Sequence, residues 1–205
     1  MNEIIFATGN KGKVATLENH LKSCGLNIRV VQQPLELIEP QAATAAEVAR
    51  VKAKQAFAQL QKPVLVDDSS FHIYALGGFP GPYIKYMLET VGAGGIVRFM
   101  EGKTDRRAYA TSTLAFVDGT GELHEFSRRE SDGVIATEVR ESVNEGWGDL
   151  WKIYMPAGSD KTLSQMTPED FLARKQEQND PSAYTQFCEW LKTRGPNPEL
   201  LKRRA

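Results

Sequence analysis

Three short, mostly apolar runs set the terms for the first third of this chain: Ile4-Ile5-Phe6-Ala7, Ile28-Arg29-Val30-Val31 and Val64-Leu65-Val66. Each is too short for a helix and suits a buried strand. Between the first two, Val14, Leu17 and Leu21 recur at three- and four-residue spacing, as on one helix face, and Gly25 can close that helix in a left-handed conformation. Between the last two, residues 44–61 read as a second helix, rich in Ala and Gln, with Val48, Val51 and Phe57 among its apolar positions and Pro63 past its end. Strands alternating with helices long enough to act as crossovers predict parallel α/β units.

The remainder reads differently. Residues 83–90 and 94–101 look helical, punctuated by Gly92, Gly94 and Gly95. An antiparallel meander is expected over 107–116, 123–127 and 133–139, with turns at Asp118-Gly119-Thr120-Gly121 and Ser131-Asp132-Gly133. Helices over 167–178 and 181–194 follow, and Lys202-Arg203-Arg204 reads as a solvated tail. With no repeat or clear linker, the 205 residues predict one α/β domain over 1–205, an elongated mixed sheet with flanking helices in two lobes around a central cleft.

Charge excludes one class of partner. With 25 basic and 26 acidic residues, no global field favours nucleic acid, so a polyanionic ligand must meet locally arranged positive charge. Cys24 and Cys188 lack metal-ligand spacing and read as reduced structural thiols. The first residues carry no basic stretch followed by a long apolar one, and no segment approaches about 18 consecutive apolar residues. A cytoplasmic protein without membrane partners is expected.

Thr8-Gly9-Asn10-Lys11-Gly12-Lys13 lies where the first strand hands over to a helix. Unpaired backbone N–H groups converge at such a junction. Gly9 permits close approach, Thr8 and Asn10 add side-chain donors, and Lys11 and Lys13 add charge. The residues fit a phosphate-binding turn and also an ordinary strand-to-helix turn; neither a Walker A loop nor a GxGxxG fingerprint is present.

Asp67 and Asp68 end the third strand. Adjacent carboxylates there are costly unless compensated, and Mg²⁺, which prefers carboxylate and water oxygens, compensates them well. A cap or turn is the plainer alternative. Successive strand side chains diverge, so one carboxylate can face a ligand while the other braces a neighbour. Glu47 and Lys52, about 1.4 turns apart on the second helix, read singly as solvated charges, though both could reach one cleft mouth. Gly77-Gly78-Phe79-Pro80-Gly81-Pro82 implies a fixed loop. Gly146-Trp147-Gly148-Asp149-Leu150-Trp151 sets rings beside flexible backbone, suited to stacking on a nucleobase or to core packing.

From residue 4 to about 166 these segments resemble the inosine triphosphate pyrophosphatase family, hydrolases of non-canonical purine nucleoside triphosphates. Thr8-Gly9-Asn10-x-x-Lys13 matches the family's phosphate signature, and Glu47-x-x-x-x-Lys52 its helical acid and base. Asp67-Asp68-Ser69-Ser70 matches its acidic motif, with Ser70 where glycine is common. Ala75-Leu76-Gly77-Gly78-x-Pro80-Gly81 is the most specific match, and Pro156, Gly158, Thr162 and Met166 follow the later pattern. The resemblance implies a homodimer that cleaves a triphosphate such as ITP, dITP or XTP between its α- and β-phosphates with Mg²⁺, Mn²⁺ being an alternative. It implies Asp68 and Lys13 as catalytic, with Asp68 the base or metal-linked activator of water. Glu47, Asp67 and Asp68 would hold the metal. Thr8, Gly9, Asn10, Lys13, Lys52 and Ser69 would hold phosphates, and Trp147, Gly148 and Asp149 would contact substrate.

The base-reading segments depart from that pattern. Asp149 falls one place early in the aromatic-Gly-aromatic-Asp-Pro stretch, and no proline follows. Ser182-Ala183-Tyr184 stands where the family carries Ser-His-Arg, and Arg174 and Lys175 lie at the wrong spacing to replace it. A lost cationic donor weakens recognition of a purine's keto oxygen, so altered base selectivity is expected. The alternatives are a pyrophosphatase for modified or pyrimidine nucleotides, and a nucleotide-binding protein without turnover.

Overall fold

A computed structural model describes residues 3–130, 132–142, 148–177 and 181–194. The elements run β1 (Glu3–Phe6), α1 (Lys11–Ser23), β2 (Arg29–Gln32), α2 (Ala45–Leu60), β3 (Val64–Ile73), β4 (Pro80–Gly81), α3 (Ile84–Thr90) and α4 (Gly92–Phe99). They continue with β5 (Arg107–Val117), β6 (Leu123–Arg129), β7 (Gly133–Ile135), β8 (Tyr154–Met155), α5 (Pro168–Glu177) and α6 (Ala183–Thr193). The fold is mixed α/β, its sheet ordered β2-β1-β3-β5-β7-β8, with β4 beside β3 and β6 beside β5. Two compact units divide the chain. The first holds the chain up to Ser69, Ser112–Arg128 and the chain from Pro181 onward; the second holds Ser70–Thr111 and Arg129–Asp180.

In the first unit β1 pairs in parallel with both β2 and β3, as the strand-helix alternation predicts. Period-two alternation then assigns each strand residue to a face. Ile4 and Phe6 of β1, Leu65 of β3, and Leu114 and Phe116 of β5 pack with Leu17 and Leu21 of α1 and Phe187 of α6. Ile5, Val64, Val66, Ala115 and Val117 take the opposite face and pack with Ala49, Ala53 and Ala56 of α2. The alanine stripe on α2 lets that helix lie close to the sheet. Gly25, with φ at 70°, follows the C-terminus of α1 as anticipated.

In the second unit, Phe71 and Ile73 of β3 form a core with Met87, Ile96, Met100, Ile135, Ile153 and Tyr154. Three expectations are corrected. The third strand does not break at the acidic pair but runs on through Asp67 and Asp68 to Ile73, because side chains from three helices compensate the carboxylates. The stretch over 133–139 is strand only to Ile135, and β7 pairs antiparallel with β5 instead of stepping outward from β6. β8 and the two-residue β4 were not anticipated; β4 pairs antiparallel with Phe71 and His72 of β3, which fixes the Gly-Pro segment as a loop folded back on its own strand.

Candidate active site

Asp67 and Asp68 face opposite sides of β3, and the alternation of the strand says where each goes. Asp67 shares a face with Leu65, toward α1 and α6; Asp68 shares a face with Val66, toward α2. Asp67 is buried at 8% exposure. Its Oδ1 accepts from Lys13 Nζ of α1 at 2.6 Å, and its Oδ2 accepts a short hydrogen bond from the Tyr184 hydroxyl of α6. Both oxygens are engaged.

Asp68 is less well provided. Lys52 Nζ of α2 lies 3.7 Å from its Oδ1 and donates more closely to Glu39 Oε1, at 2.8 Å. Glu39 arrives on the segment before α2, where Gln55 clamps both the N–H and the C=O of Ile38. Burial pushes the Asp68 carboxyl up to about 6 from the usual 3.8; Lys52 and Lys13 pull it back and Glu39 adds to the rise. A carboxylate held near neutrality, partly desolvated and partly paired, can take up a proton from a water molecule.

The turn before α1 is built as a cap. Asn10 sits at the N-cap, its Oδ1 accepting from Gly12 N at 2.8 Å and Lys13 N at 3.3 Å, and Thr8 Oγ1 accepts from Asn10 N at 3.1 Å. Two of the helix's early N–H groups are thus satisfied internally. This orientation leaves the Asn10 amide N–H groups and the Thr8 O–H outside the cap. A methyl group added at Gly9 would meet no atom within 4 Å, so nothing in the folded chain itself requires glycine there.

Glu47 has a local task. It completes a capping box at the start of α2: its Oε2 accepts from Ala43 N, Thr44 N and Thr44 Oγ1, while Thr44 Oγ1 accepts from Glu47 N. Those contacts leave Oε1 available. Ser69 is exposed beside Asp68. Ser70 is buried, with its Oγ 2.8 Å from His72 Nε2 and 2.5 Å from Thr111 Oγ1. Serine therefore fits where glycine is common because two polar neighbours satisfy it. Gly148 and Asp149 belong to the second unit, where Asp149 opens a short 3₁₀ turn and accepts from Lys152 Nζ at 2.8 Å. Gly146, Trp147 and Lys202-Arg203-Arg204 lie outside the described residues, as do Ser131 and the side chain of Lys175.

A divalent cation suits this donor set in part. Asp68 bears an anionic form that burial penalises and that Lys52 offsets only from 3.7 Å, and Glu47 keeps one oxygen outside its cap. Asp67 would have to release Lys13 or Tyr184 to join them. A second group, Asp118, Glu122 and His124, brings ligand atoms within 4.8 Å of one another. There Asp118 accepts from Thr120 N, Thr120 Oγ1 and Glu122 N and pairs with His124 Nε2 at 2.9 Å, which locks the turn between β5 and β6.

Sequence reasoning singled out Lys13, Lys52, Asp67 and Asp68, and in the first unit Lys13 pairs with Asp67 and Lys52 lies beside Asp68. It missed Glu39 and the inward role of Tyr184. The helical spacing of Tyr184 with Phe187, Cys188 and Leu191 marks a buried face, but nothing local says that the hydroxyl would meet a carboxylate.

Comparison with known proteins gives consistent results. The Ham1 family model matches residues 4–176. A dITP/XTP pyrophosphatase of Hyperthermus butylicus is 34% identical over 94% of this chain and 96% of its own. One from Thermococcus kodakarensis is 36% identical, covering 92% and 97%. The inosine triphosphate pyrophosphatase of Kluyveromyces lactis is 31% identical, covering 82% and 86%. Among solved structures, a HAM1 protein from Coxiella burnetii superposes with a TM-score of 0.77 at 24% identity, covering 94% of this chain and all of that one (100%).

Proposed function

We propose, from the premise that this chain belongs to the Ham1 family, that it is a nucleoside triphosphate pyrophosphohydrolase acting on non-canonical purine nucleotides. Water adds to the α-phosphorus, the bond to the bridging oxygen of the β-phosphate breaks, and a monophosphate, pyrophosphate and a proton leave. The observation that carries this reading is the pair of adjacent carboxylates facing opposite helices, each beside its own lysine.

In this reading Asp68 accepts the proton of the attacking water, its carboxyl being poised near the working pH. Lys13 and Lys52 counter charge on the phosphate oxygens, and Thr8, Asn10 and Ser69 donate to them. Gly9, having no side chain, lets the phosphate chain approach the backbone. Mg²⁺ or Mn²⁺, held by Asp68 and Glu47 with Asp67 in reserve, would neutralise charge on the phosphates. Trp147, Gly148 and Asp149 are assigned to the substrate's base side from the resemblance. A homodimer is assigned from the same resemblance, and light scattering on the purified chain checks the assembly.

The test is a panel of ITP, dITP, XTP, GTP, ATP and pyrimidine triphosphates, with products resolved by ³¹P NMR. Monophosphate plus pyrophosphate should appear. Release of inorganic phosphate alone, or no product from any nucleotide, would refute the proposal. A second reading, relaxed base selectivity, draws on Ala183 and Tyr184, both buried where the family pattern carries a histidine and an arginine. A hundredfold preference for ITP or XTP over GTP would count against it.

A further inference from the structure

We infer that Tyr184 is a positioning residue for the phosphate half of this site, fixing Asp67 and through it Lys13, and that it does not read the base. The inference rests on the pyrophosphatase reading above. The start of α6 is fastened in place: Ser182 caps it, accepting from Thr185 N at 3.1 Å, and its Oγ lies 3.4 Å from His20 Nε2 of α1. The Tyr184 ring stacks on the His20 ring at 5.4 Å between centroids and is buried in the core formed with Leu17 and Phe187. Held there, its hydroxyl falls on Asp67 Oδ2 while Lys13 Nζ occupies Oδ1.

A carboxylate with a fixed donor on each oxygen has no freedom to turn about its last bond. The Lys13 ammonium is thereby held at one point near the capped start of α1. Remove the phenol proton and Oδ2 loses its partner in a buried setting, so carboxylate and ammonium can both rearrange. A tyrosine has a single proton to donate. Because that proton goes to Asp67, none is left for the keto oxygen of a purine, and the effect of this side chain must be indifferent to the base.

Tyr184→Phe keeps the ring and its stacking and deletes only the hydroxyl. Inorganic tripolyphosphate, a probe without a base, should bind the variant about tenfold more weakly by calorimetry, the scale of one charge-assisted hydrogen bond. Turnover should fall by one common factor for ITP, XTP and GTP, leaving their kcat/KM ratios within about twofold of wild type. In urea unfolding, Tyr184→Phe should cost less in an Asp67→Asn background than in wild type, since the two groups act as a pair. Unchanged tripolyphosphate affinity, a tenfold shift in the ITP to GTP ratio, or additive unfolding effects would each overturn the inference. If the wild-type chain hydrolyses nucleotides but the variants give any of those results, the inference alone ends. A wild-type chain that neither binds tripolyphosphate nor releases pyrophosphate ends the functional reading, and this inference with it.

Discussion

Asp68 shows how burying one carboxyl costs a fold stability. Its folded-state pKa lies near 6 against 3.8 for the free acid, raised first by burial. Between those values the folded protein binds more protons than the unfolded one, so this group lowers stability as pH rises from about 4 to above 6. Asp68→Asn should therefore unfold at higher denaturant than wild type at pH 7.5, by up to about 3 kcal/mol, and the difference should vanish below about pH 3. The same variant should lose about 10²–10⁴-fold in turnover if Asp68 is the base. A variant no more stable at pH 7.5 would mean that Asp68 is not desolvated as described. Lys13→Ala should weaken triphosphate binding tenfold or more and also destabilise the fold, because it strands the buried Asp67 carboxylate. Calorimetry and urea unfolding measure the two effects separately.

At the scale of elements, helix starts and strand pairings hold the site residues where they stand. The capping box at the start of α2 satisfies early N–H groups and sets the helix that carries Lys52. Thr44→Ala should cost about 1 kcal/mol in unfolding free energy, with Lys52 still present but its helix frayed. In the second unit Gly133 allows β7 and β8 to meet. A Cβ there would come within 2.3 Å of Met155 O and 2.7 Å of the Tyr154 ring, and the nearer of these is backbone that cannot step aside. Gly133→Ala should destabilise by about 1–3 kcal/mol or more, seen as a lower thermal midpoint. The helices were legible because their apolar period is local. The continuation of β3 past Asp67 is not legible locally, because the sequence shows two charges and not the helices that compensate them. Neighbouring segments usually pair, which points β7 to β6, whereas the chain returns to the first residues of β5.

Over the whole molecule the charge balance is near zero, so attraction for a triphosphate is a matter of a few placed cations and not of a global field. No described helix is long and apolar enough to cross a membrane. EDTA should stop pyrophosphate release while leaving the far-ultraviolet circular dichroism unchanged, and persistent turnover in metal-free buffer would remove the cation from the proposal. The family was legible in the sequence because its motifs are short and contiguous: Thr8-Gly9-Asn10, Asp67-Asp68 and the Gly-Pro loop keep their chemistry whatever surrounds them. Period-two alternation even required the two aspartates to part company. Which partner each would find was decided only in three dimensions. Lys13, Tyr184 and Lys52 come from three separate stretches of chain, Glu39 from a fourth competes for Lys52, and a buried carboxylate takes whichever donors the packing of α1, α2 and α6 brings within reach.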